Sequence, residues 1–172
     1  GACNCVTGSM SRLELRGEKF LVDCGIGQGR EAQRWQFPDA ARDVDAVILT
    51  HGHLDHIGAL PTLINGGFDK PIFATRPTID IARISLEDSL EMQRLPPRDV
   101  EWFLKRFDQL VRSIPYDVEG PHARGLQTRF AFREAGHILG SSSVEITSTN
   151  TRVIMSGDLG RPNSPILRDP NM

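Results

Sequence analysis

At 172 residues the chain suits one domain with a sizeable hydrophobic core, since 39% of its residues are hydrophobic. The formal net charge of −2 gives no basic excess of the kind that marks a nucleic-acid-binding or membrane-binding surface. No apolar stretch approaches the ~20 residues that a membrane-spanning helix requires, and the first residues lack the pattern of a signal peptide. We therefore expect no membrane partner.

The first third of the chain predicts strands and a glycine-rich loop. Alternating residues predict a strand over 12–15 and an antiparallel partner over 19–23, with a turn at 16–18 between them. Glycines at every second position over 25–29 mark a loop, because their spacing is not that of a nucleotide-binding fingerprint. The apolar, β-branched run 46–50 then predicts a strand that is buried on both faces.

The middle of the chain predicts mainly helices. The stretch 57–65 is expected to be helical in part, with Pro61 in a first turn, and 71–74 to be a short strand. A helix is predicted from Pro77 to about Arg94, and a second from Pro97 to the stop at Pro115. Apolar residues recur at helical spacing along both helices: Ile79, Ala82, Leu86 and Leu90 in the first, and Val100, Phe103, Leu104, Phe107, Leu110 and Val111 in the second.

The last third of the chain returns to strands, which are predicted over 128–133, 143–148 and 152–155, with Asn150 in the turn between the last two. Strands, a helical middle and strands again predict a layered α/β domain whose sheets are covered by helices. The domain is expected to span 1–172. Because the chain begins with Gly1 and ends abruptly at Met172, we expect it to be a piece of a longer protein.

Three of the five histidines fall within residues 51–56, directly after the predicted strand 46–50. If the backbone stays extended, His51 and His53 point to one side of the chain and can hold one cation, since the side-chain period of a strand is two. Asp55 and His56 would point away from that pair and serve a second cation. Imidazole and carboxylate are both ligands that zinc prefers. So many polar groups crowded at a strand end would be costly to bury without an ion.

Polar residues beside glycine also follow other predicted strands: Asp23, His137 and Asp158. Each alone is better explained as a turn or loop residue. Beside the histidine run, the metal interpretation is favoured for all three, because a metal site draws ligands from more than one segment. His122 lacks this strand-end context and is interpreted as an ordinary loop histidine.

The three cysteines do not form a disulfide pattern, since the count is odd and Cys3 and Cys5 are nearly adjacent. They favour a reducing compartment, and we expect a cytoplasmic protein. A zinc site at Cys3 and Cys5 is disfavoured, because no second cysteine pair completes it. Cys24 is interpreted as a small buried residue.

Together these motifs resemble the metallo-β-lactamase fold superfamily, over about residues 1–161. The matching motifs, in the order of that family, are Asp23, the run His51-x-His53-x-Asp55-His56, His137 and Asp158. Within the superfamily the chain looks most like the RNA-processing branch that carries a β-CASP domain. That likeness lies in the residues around the ligands: 6–9, 21–25, 28–29, 136–141 and 156–160.

The resemblance implies a four-layer αββα sandwich, of which we expect this chain to form the N-terminal part. It implies that His51, His53 and His137 hold a first zinc ion. It also implies that Asp23 touches no metal and instead orients a ligand histidine, as carboxylates commonly do.

By the same resemblance, Asp55 and His56 hold a second zinc ion, and Asp158 bridges the two. Asp55 and Asp158 are the residues that we expect to take part in catalysis. In the family a further ligand histidine and the proton-transfer residues follow the β-CASP insertion, and all of them would lie beyond Met172. The second zinc ion is therefore expected to be short of a protein ligand, which puts the activity of the isolated chain in doubt.

The function implied is zinc-dependent hydrolysis of RNA phosphodiester bonds by a water that two metals activate. RNA as the partner comes from the resemblance alone, and a homodimer formed through regions outside this chain is a further expectation. Two alternatives stay open. One is a hydrolase of a small thioester or lactam on the same fold, and the other is a non-catalytic scaffold in an RNA-processing complex, which the intact ligand motifs disfavour.

Overall fold

A computed structural model describes residues 7–29, 32, 35–120 and 127–171. The described strands are β1 (Ser11–Leu15), β2 (Glu18–Val22), β3 (Ala46–Ile48), β4 (Ile72–Ala74), β5 (Val111–Ser113), β6 (Arg129–Glu134), β7 (Ser142–Ser148) and β8 (Thr151–Met155). The described α-helices are α1 (Leu54–Ile57), α2 (Leu60–Asn65), α3 (Arg76–Met92) and α4 (Pro97–Leu110). None of the described helices is long and apolar enough to cross a membrane.

The larger sheet has the strand order β1-β2-β3-β4-β5, antiparallel between β1 and β2 and parallel from β2 onward. Its central strands are buried on both faces, which explains their continuous apolar runs. In β2, Leu21 packs among the residues that contact the helices, whereas Phe20 and Val22 belong to a second core. The same alternation holds in β3, where Val47 faces the helices and Ile48 faces away from them.

The second core is formed by the opposite face of the larger sheet and by a smaller antiparallel sheet of order β6-β7-β8. Phe130 of β6 packs on Phe73 of β4, with 4.9 Å between the ring centroids. Val144 and Ile146 of β7 complete the contact between the sheets. The described residues therefore build three layers, helices, sheet and sheet, which confirms the predicted α/β class and shows three layers of the αββα sandwich.

The apolar face predicted for the first long helix is confirmed, since Ile79, Ala82, Leu86 and Leu90 of α3 are all buried. Thr75 caps this helix, because its hydroxyl accepts a hydrogen bond from the backbone N–H of Thr78 at 3.3 Å. The cap lies next to the site described below, so the start of α3 has a fixed position there.

The second long helix is shorter than predicted. α4 ends at Leu110, and Val111 begins β5, which pairs in parallel with β4 through Val111 and Ile72. The prediction of helix continuing to Pro115 was therefore wrong. Pairing with the edge of an existing sheet outweighed the local helical period at Val111.

The chain after β3 also departs from the prediction. The strand ends at Ile48 rather than Thr50, and the partial helix predicted over 57–65 is two short helices, α1 and α2. Pro61 lies in the first turn of α2, as predicted. These changes leave residues 49–53 as an irregular segment at the carboxyl end of the parallel strands.

Candidate metal centre

The ends of both sheets are tied together by backbone hydrogen bonds. Asp23, just after β2, donates its N–H to the carbonyl of Ile48 at 2.9 Å. The carbonyl of Thr50, after β3, accepts from the N–H of Ser142 at the start of β7 at 2.8 Å. The segment after β8 joins them, because the N–H of Gly160 donates to the carbonyl of Ala135 at 2.8 Å. The predicted site residues therefore meet at one edge of the molecule.

Three imidazole nitrogens converge at this edge. His51 Nε2 lies 3.1 Å from His53 Nδ1, and His137 Nε2 lies 3.2 Å from the same His53 nitrogen. One ligand atom from each of these rings and one from Asp158 all lie within 4.8 Å of one another. The structure thus brings together, from three segments of the chain, the residues that the sequence predicted for the first ion.

A second group adjoins the first. His56 Nε2 lies 3.3 Å from Asp158 Oδ1 and 3.9 Å from Asp55 Oδ2. Asp55 and His56 are in α1, as expected, but the His56 ring does not point away from the first pair. It lies against the His51 ring, with 4.0 Å between centroids.

Asp158 stands between the two groups. Its Oδ1 faces His56, while its Oδ2 lies 3.9 Å from His51 Nε2 and 3.7 Å from His137 Nε2. The two oxygens of one carboxylate thus face the two groups separately. This arrangement is one that allows a carboxylate to bridge two ions, since each oxygen can serve a different ion.

Asp23 is buried and contacts the second group at the ring nitrogen of His56 that does not face Asp158. Its Oδ2 lies 2.7 Å from His56 Nδ1, and its Oδ1 accepts from the Thr50 N–H at 2.8 Å. The backbone of Asp23 has φ of 60°, a left-handed conformation that aspartate adopts more readily than most residues. The carboxylate therefore fixes the ring of His56 without reaching the point where the ligand atoms converge.

The loop that carries His137 is held by hydroxyl groups that sequence reasoning missed. Ser141 Oγ accepts from the backbone N–H of His137 at 3.0 Å and of Ile138 at 3.2 Å. The hydroxyls of Thr75 and Thr78 both donate to the carbonyl of Gly140 at 2.7 Å. These contacts join the loop to the N-terminus of α3, and nothing in the sequence spacing indicated them.

Two glycines allow the backbones to approach closely. A Cβ at Gly25 would overlap the carbonyl oxygen of Asp55, and one at Gly160 would overlap that of Gly136. The first brings the loop after β2 against α1, and the second brings the Asp158 segment against the His137 loop. The glycines near Asp23 and Asp158 in the sequence were the signal for these close approaches.

The electrostatics of the cluster favour neutral imidazoles at His51 and His53. Burial, together with His56, His53 and His137 nearby, lowers the pKa of His51 to about 2. Burial and His137 also lower the pKa of His53. Burial lowers the pKa of His56 as well, but the hydrogen bond and charge of Asp23 outweigh it, so the net shift is upward. His51 and His53 are therefore uncharged at neutral pH, which leaves them a lone pair for a cation.

The site is enclosed by protein on the side of His51 and open to solvent on the side of Asp158. His51 is fully buried, whereas the side chain of Asp158 is 46% exposed. A cavity of about 170 Å³ lies beside Asp158 and is bounded by Ser9 and Met155 among others. A substrate can therefore approach from the side of Asp158, while the other side holds the rings in place.

Cys24 is fully buried and its thiol is free, which confirms the prediction of a small buried residue. Burial raises the pKa of this thiol, so it is not a reactive cysteine. Cys3, Cys5 and His122 lie outside the described residues.

The metal-free chain should lose stability as the pH falls below 6.5, because of His51. The folded-state pKa of His51 lies below its ordinary value of 6.5, so the unfolded chain takes up a proton first. Stability from the neutral ring is then complete above pH 6.5 and is lost progressively below it. Urea unfolding in the presence of a chelator should show the wild type losing about 1 kcal/mol more than His51→Gln between about pH 7.5 and pH 5.5. Equal losses in the two proteins would contradict the neutral, buried ring.

Comparison with known proteins agrees with this geometry. The model of the metallo-beta-lactamase superfamily matches residues 4–172. Ribonuclease TTHA0252 of Thermus thermophilus is 39% identical to the whole chain, which spans 39% of that protein's length. Transcription termination factor FttA of Methanocaldococcus jannaschii is 35% identical over 72% of the chain and 20% of that protein. Integrator complex subunit 11 of Danio rerio is 29% identical over 92% of the chain and 28% of that protein.

Solved structures show the same fold. The metallo-beta-lactamase fold protein YhfI from Bacillus subtilis superposes with a TM-score of 0.54 at 21% identity, over 91% of this chain and 56% of that one. The predicted resemblance is thereby confirmed: the chain belongs to the metallo-beta-lactamase superfamily, and its sequence relatives place it in the RNA-processing branch.

Proposed function

We propose that this chain carries most of the active site of a two-zinc ribonuclease that hydrolyses RNA phosphodiester bonds. The observation that carries the proposal is the convergence of the ring nitrogens of His51, His53 and His137, with Asp158 completing the group. The superfamily binds metal ions through such histidine and aspartate groups, and a ribonuclease is among the chain's relatives.

The donor set of the first group fits zinc. Three imidazole nitrogens and a carboxylate oxygen are ligands that zinc takes in four-coordinate sites. The rings of His51, His53 and His137 contact one another through their edges. The pKa values of His51 and His53 are lowered. A neutral ring keeps a lone pair on one nitrogen, and a cation between the rings would accept the lone pairs directed at it. His51, His53 and His137 would hold the first ion.

The second group is less complete. Asp55, His56 and the Oδ1 atom of Asp158 would hold the second ion, and Asp158 would bridge the two. These are fewer protein ligands than the first ion would have. We therefore propose that zinc binds more weakly at the second position in this chain than at the first.

When bound, a pair of zinc ions lowers the pKa of a water molecule and offsets the negative charge that builds up on a phosphate during hydrolysis. The protein's own residues supply the geometry for this chemistry. Asp23 holds the His56 ring, and the Ser141 hydroxyl holds the backbone of His137. Both contacts are made before substrate arrives, so the ligand rings do not have to reorganise during the reaction.

RNA as substrate is supported by the relatives. The most similar of those described above is named a ribonuclease, but this chain spans only 39% of its length. The net charge of −2 adds no support for a polyanionic substrate. Residues outside this chain would have to provide much of the RNA-binding surface, and RNA would approach the centre from the exposed side of Asp158.

Replacing His53 with Ala should remove about one zinc ion per chain, because His53 Nδ1 lies between the other two ring nitrogens and a three-histidine site reduced to two loses much of its affinity. Elemental analysis after gel filtration measures the bound zinc. His122→Ala is the matched control, since it removes the one histidine outside the proposed site. An unchanged zinc content in His53→Ala would refute the assignment of the first site.

In the full-length protein, Asp55→Ala should slow cleavage of single-stranded RNA by about a hundredfold or more, since metal stabilisation of the transition state is worth several kcal/mol. The rate is measured with end-labelled RNA under single-turnover conditions. Asp69→Ala, an exposed carboxylate near β4, is the control and should cleave at the wild-type rate. A zinc-loaded wild type that leaves RNA intact but hydrolyses a thioester or lactam would overturn the RNA proposal in favour of the small-substrate alternative.

A further inference from the structure

Thr50 lies between Asp23 and His51, and no role was assigned to it by the sequence motifs. Its hydroxyl oxygen is 2.9 Å from Asp23 Oδ2 and 3.0 Å from Asp23 Oδ1. The same oxygen is 3.1 Å from His51 Nδ1. The Thr50 side chain therefore makes a continuous hydrogen-bonded connection from the carboxylate to the ring.

The direction of each hydrogen bond follows from counting protons. An ionised carboxylate only accepts, so the single proton of the Thr50 hydroxyl points to Asp23. The hydroxyl oxygen must then accept from His51, which places a proton on Nδ1 of that ring. His51 Nε2, the nitrogen beside His53, is left with its lone pair.

The same carboxylate sets the other histidine directly. His56 Nδ1 lies 2.7 Å from Asp23 Oδ2 but 3.5 Å from the Thr50 hydroxyl, so it donates to Asp23. His56 Nε2 is then the nitrogen that faces Asp158. One carboxylate thus holds a proton on Nδ1 of each ring, in one case directly and in the other through the hydroxyl of Thr50.

We propose that Thr50 is a positioning residue that passes the orientation imposed by Asp23 on to His51, so that a single carboxylate fixes the ring protons of ligands in both metal positions. This inference rests on the proposed function for the role of His51 Nε2. It goes beyond the pairing of Asp23 with one histidine that the family resemblance implied.

Burial and packing make the Thr50 contact firm. Thr50 and Asp23 are 1% and 2% exposed and His51 is fully buried, so the contact between the Thr50 hydroxyl and His51 Nδ1 is shielded from bulk solvent. The backbone of Thr50 is held at both ends, because its N–H donates to Asp23 and its carbonyl accepts from Ser142. A Cβ on Gly157 would lie 2.7 Å from Thr50 Cβ, so the side chain also fills the space under the Asp158 segment.

The test compares Thr50→Val with Thr50→Ser. Valine keeps the shape of threonine but removes the hydroxyl, whereas serine keeps the hydroxyl and loses a methyl group. Nitrogen-15 NMR of the ring nitrogens in the chelator-treated, metal-free chain reports which nitrogen of His51 carries the proton. We expect the Nδ1–H tautomer of His51 in wild type and in Thr50→Ser, and loss of that preference in Thr50→Val, while His56 Nδ1 keeps its proton in all three.

Zinc affinity provides the second readout. Removing an outer hydrogen-bond partner of a ligand histidine weakens metal binding by about 10-fold to 100-fold, and we expect a loss in this range for the tighter zinc ion in Thr50→Val, with Thr50→Ser restoring most of it. Competition with a chromogenic chelator measures the affinity. Circular dichroism shows whether each variant is folded.

The outcomes separate this proposal from the one on which it rests. A wild-type His51 that carries its proton on Nε2 in the metal-free chain overturns the role of Thr50, whatever the variants do. A folded Thr50→Val with wild-type zinc affinity and an unchanged His51 tautomer overturns it as well. A wild type that takes up no zinc refutes the metal centre, while the tautomer measurement, which needs no metal, still decides whether Thr50 orients His51.

Discussion

The structure depends on bringing the Nε2 atoms of His51 and His137 to 3.1 Å and 3.2 Å from the Nδ1 atom of His53, at the edge where two sheets meet. His51 is the buried member of this group, and a buried polar group needs a partner. The protein enforces it with backbone contacts from both sheets, such as the Ser142 N–H to the Thr50 carbonyl. Glycines at positions 25 and 160 let the loops pack without side chains between them. The fold therefore places these groups where, as proposed above, they would hold a cation.

Asp23 determines the position of the Nδ1 proton on two of the histidine rings, His56 and His51. Asp23 stands at the end of β2 in a left-handed conformation, and its hydrogen bonds reach His56 directly and His51 through the proposed contact with Thr50. In the proposed centre the first metal position would have three histidines and the second only one, together with Asp55 and the shared Asp158. This asymmetry predicts that the two positions depend differently on residues outside the chain, which spans 39% of the length of the ribonuclease it resembles.

The sequence predicted the structure correctly where residues close together along the chain determine it. Crowded histidines after an apolar strand, and aspartates beside glycine, predicted which residues meet, because strand ends in an α/β sheet share an edge. The strand β5 was missed, since pairing of Val111 with Ile72 depends on an edge that only the folded sheet provides. The hydroxyls of Thr50 and Ser141 were missed for a related reason, because no spacing pattern in a sequence marks a hydroxyl that will be buried. The partner of Thr50, Asp23, is 27 residues away along the chain, and the partner of Ser141, His137, is 4 residues away.

The most direct test of the metal centre is anomalous diffraction at the zinc absorption edge from crystals grown with zinc. A strong peak is expected about 2.0–2.1 Å from His51 Nε2, His53 Nδ1 and His137 Nε2 together. A weaker peak is expected on the side of Asp158 that faces His56. Zinc found only at other surface residues, or these three rings turned apart with no density between them, would contradict the account.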